Sequence, residues 1–287
     1  MAHTKIRLKP AKQRLAENGR MIKGTPLRLA VSIKHRFDST IQRYIDRMIK
    51  DTEREIQRLF ESEEWAGSYG MDANIGSQAK FTLNSLNEKF GKLFIRISGP
   101  TVDTMINQTD RNSASTLKLS LFNVSEHLSL KTDIMTPVLK EIIAAQSAEA
   151  VSLIKRVPAE YLDSITTGVM QAITTGHGLQ DIVPLLEKQK VKVKNWARNV
   201  AHDQTRKVYA GLNKERMQAI GIRKYEWVHS HGVQHPNLFH LNVLDGQIFS
   251  FDDPPIIDPK TGTRGGPGEW FFCSCTARPI VDFSGEK

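Results

Sequence analysis

The spacing of apolar residues changes near Gly221 from a helical repeat to a strand-like alternation. Between residues 38 and 219, apolar side chains recur every three to four positions, which is typical of amphipathic helices. Residues 224–229 instead alternate apolar and polar side chains, as a half-buried strand does. Residues 252–270 contain four Pro and four Gly, too many for regular structure. The sequence therefore predicts an α+β fold: extended helices in the N-terminal two-thirds, and a small, loop-rich, β-containing C-terminal module.

The punctuation of the helical part predicts seven separate helices. Asp38 or Ser39 is the expected N-cap of the first, which is expected to end near Gly67–Gly70. The pair Gly99-Pro100 is expected to interrupt the helical pattern. The predicted helices after the first cover residues 77–97, 101–122, 125–155, 159–174, 179–188 and 193–219. The predicted strands cover residues 224–229, 247–251, 273–275 and 279–283.

Positive charge is concentrated at the N-terminus. Residues 1–36 hold ten Lys or Arg and a single acid, so they carry all of the net charge of +9. We interpret them as a basic arm, either a solubilising tail or a segment that contacts phosphates without reading sequence. The candidate DNA-binding residues are Lys5, Arg7, Lys9, Lys12, Arg14, Arg20, Lys23 and Arg28. The predicted domains are the arm (1–36), a helical region (37–190) and the C-terminal module (191–287).

Targeting signals and disulfide scaffolds are not expected. The chain has no apolar run long enough to cross a bilayer, and its basic N-terminus is not followed by the apolar stretch of a signal peptide. We therefore expect synthesis in a reducing cytoplasm. The two cysteines, Cys273 and Cys275, are too few for a disulfide framework. Two positions apart in extended chain, they point to the same side.

A metal site is the sharpest chemical hypothesis for this cysteine pair. Together with His240, the two thiols form a donor set of the kind that binds zinc, and His231, His235 or Asp245 could supply a fourth ligand. The Cys-x-Cys spacing is not that of the usual zinc knuckle. Buried thiols packed against Trp227 would satisfy the same pattern, so both interpretations stay open.

Two further motifs favour structural roles. Gln204 follows Asp203 and lies on the apolar stripe of the predicted helix 193–219, so a buried amide that braces a neighbouring loop is expected. Asp245-Gly246 is expected to form a tight turn.

Six short motifs, in order, resemble the phage Mu F-like minor head protein family, also called phage head morphogenesis proteins. Over about residues 193–281 they are Ala201-His202-Asp203-Gln204-Thr205, Gly221-Ile222 with Tyr225 and Trp227, His240 with Leu244-Asp245-Gly246-Gln247-Ile248-Phe249, Pro254-Pro255-Ile256-Ile257-Asp258, Thr261-Gly262-Thr263-Arg264-Gly265, and Pro267-Gly268 with Cys273-Ser274-Cys275. Asp203, Gln204, Trp227, Asp245, Gly246, Pro254 and Pro255 are therefore structural motif residues. Ser274 and His202 stand where the family has arginines, and a His-containing turn replaces an Asp- and Arg-rich one.

The resemblance implies a minor capsid protein of a tailed bacteriophage, present in several copies inside the head. It implies contacts with portal or major capsid proteins, double-stranded genomic DNA as a neighbour, no membrane, and no established catalysis. The family resemblance and the basic arm thus agree on DNA as a neighbour.

An enzyme remains the rival class of function. The sequence has no phosphate-binding loop, no dinucleotide fingerprint and no nucleophile elbow, and its Cys spacing excludes the zinc deaminase motif. The His-containing turn with Asp245 would suit metal-assisted phosphodiester hydrolysis, so a zinc-supported nuclease carried in the virion is the alternative.

Overall fold

The computed structural model describes residues 21–61, 73–124, 131–176, 179–232 and 236–282. Long helices precede a region of short strands, which confirms the predicted α+β class. Within the described residues, no helix combines the length and apolar character that a membrane span requires.

Four α-helices make up the described helical part. They are α1 (Val31–Phe60), α2 (Ala73–Phe122), α3 (Pro137–Thr174) and α4 (Leu179–Ala219). Helix α1 begins seven residues before the predicted N-cap at Asp38, because Ile33 and Phe37 extend its buried stripe towards the N-terminus. It ends at Phe60 rather than near Gly67–Gly70.

The predicted breaks inside α2, α3 and α4 are wrong. Helices α2 and α3 continue through Pro100 and Pro158, next to the breaks predicted there. Helix α4 continues through residues 189–192, where its break was predicted, and also contains Pro184, which the prediction already placed inside a helix. A proline inside a helix removes one hydrogen bond and costs about 3 kcal/mol. Buried residues flank each one: Ile97 and Val102 around Pro100, Val157 and Tyr161 around Pro158, and Ile182 and Leu186 around Pro184. Burying such side chains contributes roughly 1.5–3 kcal/mol each, so tertiary packing outweighs the local cost.

The basic arm predicted for residues 1–36 is too long. Strand β1 (Met21–Lys23) pairs with a C-terminal strand, and α1 already begins at Val31. Between them Leu27 and Leu29 are buried, and the Leu27 amide donates to the Ala277 carbonyl at 2.9 Å. The apolar residues that alternate with the positive charges are thus core residues, and only residues 1–20, outside the described residues, remain of the predicted arm.

The strands after α4 form two small antiparallel sheets. The first contains β1, β2 (Lys224–Val228), β3 (Ile248–Ser250) and β6 (Thr276–Asp282) in the order β1-β6-β2-β3. The second pairs β4 (Ile256–Asp258) with β5 (Thr263–Arg264). The predicted strands near 224–229, 247–251 and 279–283 are confirmed, whereas residues 273–275 are not a strand and lead into β6.

A glycine cap connects α4 to β2. Gly221 has a φ of 85°, its amide donates to Gln218, and the Ile222 amide donates to Met217 at 2.8 Å. This is a Schellman motif, which satisfies carbonyls left over at the helix end. It redirects the chain so that Tyr225 and Trp227 enter the sheet fully buried.

The chain divides into two compact units. One comprises residues 1–31, 106–146 and 203–287 and contains both sheets; the other comprises residues 32–105 and 147–202 and is helical. These divisions differ from the predicted boundaries, since the one expected between residues 190 and 191 lies inside α4.

Polar contacts fasten α4 to α2 within the sheet-containing unit. The Tyr209 and Thr116 hydroxyls lie 2.7 Å apart, and the Ser113 hydroxyl donates to the Asn213 side chain at 2.7 Å. The buried Arg216 guanidinium contacts the Asp110 carboxylate at 2.6 Å. These contacts hold the C-terminal half of α4, which carries part of the site described next.

Candidate metal centre

His240, Cys273 and Cys275 reach one point from two different segments. His240 opens a short π-helical turn (His240–Leu244), and the cysteines end the loop of residues 265–275 that precedes β6, here called the cysteine loop. The buried ring of Trp227 on β2 meets the His240 ring edge-on, with centroids 5.2 Å apart. The sheet therefore supplies an apolar wall against which the histidine is fixed.

The three donor atoms converge in the protein interior. His240 Nδ1 lies 3.6 Å from Cys273 Sγ and 3.8 Å from Cys275 Sγ, and all three atoms lie within 4.8 Å of one another. The three residues are 1%, 6% and 4% exposed, respectively. The sequence hypothesis that these residues are neighbours is therefore confirmed, and they form a cluster that could bind a metal ion.

A backbone carbonyl fixes the orientation of the His240 ring. His240 Nε2 lies 2.9 Å from the carbonyl oxygen of Ile257 in β4. A carbonyl only accepts, so Nε2 carries a proton and donates. In the neutral ring, Nδ1 then keeps its lone pair, which faces the two sulfurs. A ligating histidine is commonly held in this way by its second nitrogen.

The two thiols titrate in opposite directions. The hydrogen bond that Cys275 donates, together with the contact with His240, lowers the pKa of Cys273 below its usual range. The hydrogen bond that Cys275 donates to Cys273, together with burial, raises the pKa of Cys275. Burial lowers the pKa of His240, but the contacts with Cys273 and the Ile257 carbonyl outweigh it, and the net shift is upward. The cluster therefore favours one thiolate beside a positively polarised imidazole.

Arg206 on α4 braces the cysteine loop, and sequence reasoning missed it. Its guanidinium donates to the carbonyl of Ser274, between the two cysteines, at 3.1 Å. Its charge also interacts favourably with Cys273 and Cys275. Position 206 lies three residues after Asp203 and hence on the same helix face, which is the signal that could have found it.

Asp203 on α4 holds the same loop at Phe272, just before the first cysteine. Its Oδ1 accepts from the Phe272 amide at 3.2 Å, and its Oδ2 pairs with Lys207 at 2.9 Å. Phe272 has a φ of 54°, a conformation that L-residues adopt at a cost, so the contact holds a strained position. The buried amide of Gln204 donates to Asp203 at 3.5 Å. Gln204 is thus buried next to Asp203, which braces the cysteine loop.

The expected fourth ligands are engaged elsewhere. His231 Nε2 and Asp245 Oδ2 lie 3.0 Å apart, and Asp245 Oδ1 accepts from the His229 amide at 2.7 Å. Among the described residues, no other Cys, His, Asp or Glu joins the three-donor cluster. His235, the third candidate, lies outside the described residues.

His229 is buried close to the cluster, but its hydrogen bonding disfavours a ligand role. Its Nδ1 accepts from the His231 amide at 3.0 Å, so the proton of the neutral ring is on Nε2. Burial and the neighbouring His231 lower its pKa, which keeps the ring neutral.

The remaining motif residues shape the turns around the cluster. Asp245 and Gly246 occupy the centre of a type II turn: Gly246 has a φ of 78°, and the Gln247 amide donates to Leu244 at 3.0 Å. The Pro254 carbonyl accepts from Arg264, and the Pro255 carbonyl accepts from the Gly265 amide. Both prolines therefore lie beside the end of β5, where the cysteine loop begins.

The structure describes two of the eight candidate DNA-binding residues. Lys23 forms an ion pair with Glu226 at 2.5 Å, and Glu226 also binds Arg278, so the charge of Lys23 is engaged within the fold. Arg28 is exposed. The other six, Lys5, Arg7, Lys9, Lys12, Arg14 and Arg20, lie outside the described residues.

Comparison with known proteins places the site within a family region. Residues 163–278 match the family described as phage Mu protein F like protein, a match that includes Asp203, Arg206 and the three clustered donors. An uncharacterized protein of Haemophilus influenzae is 25% identical over 270 residues, which is 93% of this chain and 57% of that relative. The chain thus spans little more than half the length of this relative. No solved structure matches the chain.

Proposed function

We propose that the chain is a head morphogenesis protein of a tailed bacteriophage, because its residues 163–278 match the phage Mu protein F-like family. This match over residues 163–278 is the observation that carries the proposal. The similarity to the Haemophilus influenzae protein extends over 93% of this chain. The helical residues upstream of position 163 are therefore shared with that relative as well.

In the finer form of the proposal, the chain is a minor capsid protein, and several copies of it lie inside the head of each particle. There it contacts the portal, the major capsid protein or both, after synthesis in the cytoplasm of a bacterial host. Its role is assembly and the packaging or delivery of DNA.

Non-specific DNA contact is proposed for residues 1–20. They contain six Lys or Arg and one acid, a net charge of +5. Such a segment binds phosphates by releasing counterions and needs no sequence readout. Lys23 is left out of this contact because it pairs with Glu226.

The chemistry of the donor cluster favours the structural role over the nuclease alternative. Phosphodiester hydrolysis calls for an accessible ion that can bind both a phosphate and a water. His240, Cys273 and Cys275 are soft donors and are almost completely buried. An ion held there would stabilise the loops around it and would not reach a DNA strand.

Purified virions of the phage that encodes the chain provide the test. We expect mass spectrometry to find the chain in intact particles, protected from added protease, and released into a protease-sensitive form when the heads are opened. An exposed tail protein of the same particles serves as the digested control. If purified particles lack the chain, or if protease removes it from intact heads, the proposed role is wrong.

A further inference from the structure

We infer that His240, Cys273 and Cys275 bind a zinc ion that ties the cysteine loop to the π-helical turn of residues 240–244. The donor atoms come from two chain segments far apart in sequence, and neither belongs to a long helix or a long strand. The inference stands apart from the proposed role in head assembly and can fail without it.

The separations of the donors match those of a zinc site. Zinc binds thiolate sulfur at about 2.3 Å and imidazole nitrogen at about 2.0–2.1 Å, so tetrahedral angles put the nitrogen and each sulfur roughly 3.6 Å apart. The two separations in the structure are 3.6 Å and 3.8 Å. An ion can therefore take its place between the three atoms without a large movement of the chain.

The surroundings of the donors are those of a metal ligand set. The Ile257 carbonyl holds Nε2 of His240, which leaves the Nδ1 lone pair directed at the sulfurs. Arg206 fixes the Ser274 carbonyl, so that the cysteines on either side of it are presented together. A divalent ion would balance the negative charge of the thiolates that bind it.

Packing of two thiols against Trp227 explains less of this geometry. Apolar packing does not require that the lone pair of the His240 ring face the two sulfurs. It also does not require the Ile257 carbonyl, which determines which ring nitrogen faces them. The cysteine loop also contains little regular structure, and a bound ion stabilises such segments by linking them. Thiolate and imidazole together select zinc over the harder magnesium and calcium ions.

Zinc content of the full-length chain, purified without chelators, is the direct measurement. We expect about one zinc per wild-type chain, and zinc retention at least about tenfold weaker in Cys273→Ser, Cys275→Ser and His240→Asn. His231→Asn is the matched control, because His231 is a nearby histidine that pairs with Asp245, and it is expected to keep its zinc. Zinc-free wild-type protein, or equal zinc in all variants, would overturn the inference.

A ligand exchange separates loss of binding from loss of folding. Cys275→His places an imidazole, which binds zinc, at position 275, whereas Cys275→Ser places a hydroxyl, which binds zinc poorly. Both substitutions disturb the packing, so the packing does not distinguish the two variants. We expect Cys275→His to retain zinc and, with cobalt in its place, to show the absorption of a tetrahedral ion with fewer thiolates than wild type. If Cys275→His and Cys275→Ser lose zinc equally, residue 275 is not a ligand.

The thiols themselves give an independent readout. In the wild-type protein, a thiol reagent is expected to modify both cysteines at least about tenfold faster after a chelator removes the zinc, and added zinc is expected to restore protection. A wild-type mass two hydrogens lower than the sequence requires, with no reactive thiol, would show a disulfide instead and would overturn the inference.

Discussion

The helical unit of residues 32–105 and 147–202 and the cysteine loop of residues 265–275 are stabilised by different kinds of contact. The helical unit buries long runs of aliphatic and aromatic side chains, such as Ile41, Ile45, Phe90 and Phe94. The cysteine loop is held by single groups: Asp203 and Arg206 on α4, and the His240 cluster. The helical unit, with its many apolar contacts, accommodates three prolines inside its helices. The cysteine loop depends on a few specific contacts, so we expect it to tolerate little change.

Truncation of a core aromatic is expected to give the largest loss of stability. Phe90→Ala removes a fully buried ring from α2, and such changes cost about 3–5 kcal/mol through lost burial and the cavity that remains. Phe81→Ala on the same helix is the control, since Phe81 is 78% exposed and surface changes stay within about 0.5 kcal/mol. Chemical denaturation measures both, and equal losses would contradict the comparison.

Glycine substitutions are expected to differ in sign between the two regions. Gly268 in the cysteine loop has a φ of 91°, and a Cβ there would lie 3.1 Å from the side chain of Ala210. Gly268→Ala is therefore expected to cost about 1–3 kcal/mol. Gly99 lies inside α2 with open space around it, so Gly99→Ala is expected to stabilise by about 0.5–1 kcal/mol. Thermal unfolding of both variants measures the two changes in stability, and changes of the same sign in both variants would contradict the expected difference between the regions.

Loss of the Arg206 brace is expected to loosen the cysteine loop locally. Arg206→Met keeps the length of the side chain but removes its bond to the Ser274 carbonyl, at a cost of about 1–3 kcal/mol. Cysteine modification in the native protein is expected to accelerate. Arg198→Met on the same helix is the control, because exposed Arg198 contacts Asn195 within its own helix. Unchanged thiol reactivity in Arg206→Met would show that Arg206 does not hold the cysteine loop in place.

Removal of residues 1–20 is expected to weaken DNA binding. Binding of the truncated chain to random duplex DNA is expected to weaken and to depend less steeply on salt, because up to six phosphate contacts are lost. A full-length variant with Gln at the six basic positions controls for length. Binding that survives both changes would assign the DNA contact to another part of the chain.

The period of the sequence pattern predicted the helical character of most of residues 38–219 and the strands near residues 224–229, 247–251 and 279–283. Local rules also predicted the turn at Asp245-Gly246 and the convergence of the two cysteines, because both depend on neighbours in sequence. The prolines misled the prediction, because burial of Ile97 and Val102 around Pro100 depends on packing that lies elsewhere in the chain. Strand β1 was missed because its partner lies at the other end of the sequence.

The residues of the site also differ in whether the sequence alone could identify them. His240 and the two cysteines could be identified by residue type alone, since few side chains bind soft metal ions. Arg206 could not, because its function comes from a backbone carbonyl that only the folded loop brings to it. The order of the motifs in the sequence was enough to reveal the family resemblance, whereas the bracing contacts could be found only in the folded structure.

The position of β6 sets the timing with which this protein can fold. It lies between β1 and β2, so the first described strand has no partner until residues near 281 have been synthesised. At about 5–20 residues per second, this wait is on the order of tens of seconds. During it, the apolar residues of β1 and the edge of β2 stay uncovered, and the nascent chain depends on its helices, whose contacts are local, for early protection from aggregation.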